Sequence, residues 1–179
     1  VEITRRQVGT WPKNGSEFEQ ANRRFGILSL TNLPMHAKFH CLVAKSVQLR
    51  GFQPVIFTYT STRYGHSYYR LFGLSHLEMW DEYVKAWGLS ENDLDREVDL
   101  LVPQSLSVTT AKNLVFHDVH VGEHALSMTC RKRIEGRLNL QDSETLTLFR
   151  TQLKSAIQSV VVAEKYLNEY PLNKLLVRD

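Results

Sequence analysis

Cysteine is almost missing from this chain of 179 residues: there are two, Cys41 and Cys130, and no CxxC pair. A disulfide scaffold and a thiolate zinc site are therefore not indicated, and a reducing compartment fits. Long apolar runs are lacking as well. None approaches the ~20 residues needed to cross a bilayer, and no signal peptide is visible. Charge of one sign does not dominate, since the net charge is +3. The basic residues are dispersed, the densest group being Arg131-Lys132-Arg133, which argues against a dedicated nucleic-acid binder. GxGxxG is missing, which argues against a dinucleotide site, and HExxH is missing too. No internal repeat or low-complexity tract occurs. The chain does not begin with Met and ends on Leu175-Leu176-Val177, so both ends read as cut and a fragment of a longer protein is expected.

What is present suits an ordinary folded domain: 42% of residues are hydrophobic and 23% charged. Residues 1–23 are polar and mixed and read as an arm or linker. Residues 25–30 (FGILSL) read as a buried strand and 31–35 as a loop. Residues 36–50 read as a helix, with Phe39, Leu42, Val43, Val47 and Leu49 near a 3.6 period and Ala37 and Ala44 as small packing residues. Gly51 stands where a helix C-cap belongs. The β-branched and aromatic residues 55–59 make a second strand, so the three segments form a βαβ unit with parallel strands.

Residues 60–66 (TSTRYGH) read as a polar loop, 67–72 as a short helix and 75–87 as a longer one with Leu77, Trp80, Val84 and Trp87 on its apolar face. Ser90 followed by Asp93 caps a helix over 90–101, which Pro103 breaks. Residues 104–113 read as helical, 114–121 as a short strand and 123–135 as helix. The strongest periodicity runs over 142–170, with Asp142 or Ser143 as cap and Pro171 as stop. Residues 174–178 read as a third strand. The expected class is α/β: a helix-rich, Rossmann-like, three-layer α/β/α domain over 24–179 with a mostly parallel sheet.

In open α/β sheets ligands collect beyond the carboxyl ends of the strands, and His36 stands at such an end, where the chain enters a helix. A helix N-terminus disfavours added positive charge, and a general base must be neutral. The plainer reading of His36 is a loop histidine bonded to a nearby carbonyl. Arg63 and His66, in the loop after the second strand, share that edge. Tyr64, Tyr68 and Tyr69 offer stacking faces, although aromatics at this spacing mostly pack. Gly122, before a helix, offers backbone amides to an anion. Arg131 reads first as a surface ion-pairing residue. His120 and His124 are spaced to share a helix face with His117, Asp118 and Glu123 nearby, but the loop at Gly122 breaks that face, and no metal site is expected.

The stretch LPMHAKFHCLVAKSVQLRGFQPVIF, residues 33–57, resembles the opening of a GT-B glycosyltransferase. Leu42-Val43-Ala44-Lys45, Leu49-Arg50-Gly51 and Pro54-Val55-Ile56-Phe57 carry the match. Met35 stands where many members have glycine before the histidine. RYGHSYYRLFG and FHDVHVGEHALSMTCRKR resemble segments of the N-terminal halves of bacterial surface and capsular polysaccharide enzymes, with Val119, Val121, Gly122, Ser127 and Arg131 as the matching positions.

The resemblance implies the acceptor-binding half of an enzyme that moves a sugar from a nucleotide-sugar donor to a glycan or lipid-linked acceptor. His36 would be the catalytic base, with Arg63, Tyr64, His66, Gly122 and Arg131 as binding residues, and Tyr64, Tyr68 and Tyr69 as stacking faces for sugar rings. It implies no cofactor beyond the donor as co-substrate, and no metal. A C-terminal domain outside this chain would bind the donor, so the isolated chain would lack turnover. The site of action would be cytoplasmic, with peripheral contact at the inner face of the membrane as an option. Two other classes compete: a non-catalytic sugar- or nucleotide-binding domain, and an interaction module that docks a partner through the helix of Trp80 and Trp87.

Overall fold

The computed structural model describes residues 23–31, 33–134 and 138–177. The arm read over 1–23 lies, apart from Arg23, outside the described residues. Strand β1 (Arg24–Leu28) leads into helix α1 (Pro34–Gln48), which returns as β2 (Gln53–Thr58). The two strands pair in parallel, with Ile27 opposite Ile56. Parallel pairing requires a crossover, and α1 provides it. Pro34 opens α1 in its first turn, where a missing N–H is tolerated. Gly51, at φ +74°, turns the chain out of it, a conformation open to glycine at little cost.

Helix α1 meets the sheet through Ala37, Cys41 and Ala44, which form one core with Ile27, Ile56, Tyr69 and Leu74. The small side chains let the helix lie close to the strands. Of the larger apolar residues that gave the helical period, Phe39, Leu42 and Leu49 are exposed, while Val43 and Val47 are half-buried.

Helix α2 (Arg63–Leu71) begins four residues before the expected start at 67, so Arg63, Tyr64 and His66 belong to a helix and not to a loop. Gly65, a poor helix former, hid this start. The expected helix over 75–87 is two elements, β3 (Leu77–Met79) and α3 (Trp80–Trp87). Leu, Glu and Met favour helix in isolation, but Leu77 pairs with Ile56 on β2 and Met79 with Thr58, and the sheet overrides the local preference. β4 (Lys174–Leu176) lies on the other side of β1, Ile27 opposite Leu176. The order is β3-β2-β1-β4, all parallel. The fold is a helix-rich, Rossmann-like α/β architecture.

The chain divides into two compact units, one running to Tyr83 and resuming at Glu169, the other Val84–Asn168. The second is helical: α4 (Glu91–Leu101), α5 (Val108–Lys112), α6 (Val121–Arg133) and α7 (Ser143–Glu169). Its core joins Leu94 and Val98 of α4 with Leu126 of α6 and Phe149, Leu153 and Ile157 of α7. Two caps follow the sequence. The Ser90 hydroxyl accepts the Asp93 N–H at 3.3 Å, and the Asp142 carboxylate accepts the Thr145 N–H at 2.8 Å. That backbone bond, with the Thr145 hydroxyl, holds the Asp142 carboxyl below the usual carboxylate range.

Residues 114–121, expected as a strand, hold a tight reversal in which Phe116 and Val119 exchange two backbone hydrogen bonds. His117 and Asp118 at its tip both have positive φ, 47° and 63°, as a type I′ turn requires.

Burial makes a checkable difference between the thiols. Cys41 is fully buried in the α1 core, and desolvation pushes its pKa up to about 12. Cys130 is partly exposed. Since the thiolate is the reactive form, the folded chain should titrate one thiol with Ellman's reagent, at Cys130, and the second only on denaturation. Two fast thiols in the native chain would contradict the packing of α1.

Candidate functional site

Because the sheet is all-parallel, the carboxyl ends of β1, β2 and β3 share one edge. Buried polar side chains gather at this edge. Ser29, directly after β1, is fully buried and held by its N–H to the Phe57 carbonyl at 2.8 Å. Its hydroxyl meets Nδ1 of His40 at 2.8 Å and the Tyr69 hydroxyl. His40 is 2% exposed and Tyr69 fully buried. Burial raises the Tyr69 pKa, partly offset by the Ser29 bond, so the phenol stays protonated and can donate. Thr58, the last residue of β2, is also fully buried. Its Oγ1 has no hydrogen-bond partner among the described residues, and neither has the buried Nε2 of His66.

His36 stands in the first turn of α1, partly exposed. It lies one turn before His40, and the ring centroids are 6.4 Å apart. The edge thus presents an accessible imidazole with a buried, hydroxyl-anchored imidazole behind it. A third group lies at the β3 end. The Asp81 carboxylate accepts the Thr60 N–H at 2.9 Å and the Thr60 hydroxyl. The Thr60 hydroxyl bond is the main reason its carboxyl sits below the usual range, and His66 adds a smaller attraction. This fixes the loop between β2 and α2.

The residues expected at the site separate into two groups. His36, Arg63, Tyr64 and His66 lie in the sheet-bearing unit, Arg63 and Tyr64 exposed at the start of α2 and His66 half-buried one turn on. Tyr69, one of the expected sugar-stacking faces, is instead a core residue. Gly122 and Arg131 lie on α6 in the helical unit. Gly122 offers no amide to an anion: it is buried, and its N–H donates to the Leu114 carbonyl at 3.1 Å. Arg131 is exposed in the last turn of α6.

Nδ1 of His117 meets the Glu164 carboxylate at 2.8 Å, and its ring stacks on Phe116. No three His, Cys, Asp or Glu side chains among the described residues gather as a metal site would need. Ser29, His40 and Asp81 were not singled out from the sequence. His40 had a signal there, its spacing of four from His36 on one helix. Ser29 and Asp81 had none, since each depends on contacts made across the fold.

No family model, curated protein or solved structure matches this chain. Among the described residues no helix is long and apolar enough to cross a membrane.

Proposed function

We propose that this chain is the acceptor-binding half of a GT-B glycosyltransferase of the type that builds cell-surface polysaccharides. The observation that carries the reading is the position of His36. In the sheet of order β3-β2-β1-β4, β1 lies between β2 and β4, and open α/β sheets bind ligands beyond the carboxyl ends of their strands. The helix bearing His36 starts at that end of β1.

In an inverting transfer, His36 takes the proton of the acceptor hydroxyl as its oxygen attacks the anomeric carbon, and the sugar–phosphate bond breaks to release the nucleotide diphosphate. The donor is held by a second domain. The half-exposed Phe39 ring and the exposed Tyr64 offer faces for acceptor sugars, and Arg63 a cation for an acceptor phosphate. His40, locked by Ser29, sets the wall behind His36.

The test is the complete gene product, assayed with nucleotide-sugars. His36→Ala should lower kcat by ~10² or more with the fold unchanged, the usual loss for a general base. Turnover equal to the parent would remove His36 from the mechanism. The chain up to Asp179 alone should bind a uridine diphosphate sugar weakly or not at all by calorimetry, and micromolar binding would overturn its assignment to the acceptor side.

A further inference from the structure

Helices α6 and α7 leave a groove of about 590 Å³ between them. Its cause lies in the sequence of α7. The face of α7 that carries Phe149, Leu153 and Ile157 is buried in the core. The face that lines the groove carries small residues, Ser155, Ala156, Ser159 and Ala163, which are too short to close the gap to α6. The walls are apolar: Val119 before α6, Met128 on it, and Val160 and Leu167 on α7. Val119, Met128 and Leu167 are about two-fifths exposed. The volume falls within the ~300–1,000 Å³ typical of small-molecule sites, which are likewise apolar with a few convergent polar groups.

One of those polar groups is out of keeping with a merely unfilled surface. Gln152 lines the groove and is only 7% exposed. Its side-chain amide makes no hydrogen bond to any described residue. The rest of the side chain is packed away, so this amide is the polar group that the residue can present to the groove, where a leucine would have continued the apolar wall. The amide, with a donor and an acceptor, faces the groove ready for a partner. At the rim, Glu164 is engaged by His117 at 2.8 Å and disfavours an anion, and His124 stands across from it.

We propose that this groove binds a small, uncharged amphipathic molecule. Its hydrocarbon body lies along Val119, Met128, Val160 and Leu167, and its carbonyl or hydroxyl group bonds the Gln152 amide. A docked helix of another protein fits less well, because an apolar ridge laid over the groove would leave Gln152 without a partner. The site is independent of the glycosyltransferase reading and stands or falls separately.

The probe is 1-decanol, titrated into the intact chain and followed by amide chemical shifts and calorimetry. Saturable shifts should centre on Val119, Met128, Gln152 and Val160. Gln152→Leu should weaken binding about tenfold, as loss of one buried hydrogen bond does. Ala163→Trp, which fills the groove, should abolish it. Leu167→Glu, at a half-exposed position that cannot disturb the core, should weaken it as well and serves if the tryptophan variant misfolds. No saturable shift up to the solubility limit would overturn the proposal, as would undiminished binding in both Ala163→Trp and Leu167→Glu. A dimer in sedimentation that Leu167→Glu dissolves would also overturn it, showing that a second copy covers the groove.

Discussion

Gly122→Ala should cost the helical unit ~3 kcal/mol or more, the upper range for forcing extra carbon into a packed interior. A Cβ at this position would lie 1.9 Å from the Ala111 carbonyl oxygen and 2.9 Å from Cβ of Leu114. The obstacle is backbone, so no side-chain rotation relieves it. Nor can α6 retreat freely, since the Gly122 N–H is bonded to the Leu114 carbonyl at 3.1 Å. Either α6 pulls away from α5 and breaks that bond, or the reversal at residues 116–119 shifts with it. Urea unfolding followed by far-ultraviolet circular dichroism measures the loss. A cost below ~1 kcal/mol, the level of ordinary surface changes and small repacking, would mean that α5 and α6 approach less closely than described.

Tyr69→Ala should cost ~4 kcal/mol, in line with removing a large aromatic from a core. Tyr69 is among the largest fully buried side chains and touches the α1 core as well as Ser29. Tyr69→Phe separates the two contributions. It keeps the ring and removes the hydroxyl, and should cost ~1–2 kcal/mol, the range for one buried hydrogen bond. The Ser29 hydroxyl then keeps only its bond to His40. Tyr64→Ala is the contrast: its side chain is 72% exposed, and its removal should change stability by less than ~0.5 kcal/mol. The three variants compared by urea midpoint test whether α2 is seated through Tyr69. Similar costs for Tyr64→Ala and Tyr69→Ala would contradict it.

What could be read in advance follows from where the information lies. The βαβ unit and the long helix over α7 rest on local periodicity, and both stand. β4 is recognisable from Leu175 and Leu176 after a proline stop. β3 is not, because Leu77-Glu78-Met79 has no strand preference of its own and becomes a strand only by pairing with β2. The orientation of α1 is similar. Phe39 and Leu42 carry the hydrophobic signal, but Ala37, Cys41 and Ala44 fit the sheet, and fit is a property of two surfaces. At the edge of the sheet, His36 was legible because a histidine entering a helix after a strand is a local pattern. Ser29, Tyr69 and His40 meet only when three elements come together, so their network was hidden. Gly122 was noticed for the wrong reason: a glycine before a helix suggests free amides, whereas here it makes room for the Ala111 carbonyl.

The two edges of β1 have different histories during synthesis. β2 follows after a single helix, so that side can pair early. The other side waits for β4 and for Asn173, whose side chain accepts the Arg24 N–H across 149 residues of sequence. At the ~5–20 residues per second of translation, that separation is roughly 7–30 s. For that interval the nascent chain carries a strand with one row of backbone groups unsatisfied, the kind of edge that recruits other strands. The same distant partner that completes the sheet therefore also ends the period in which a newly made chain is most open to mispairing with its neighbours.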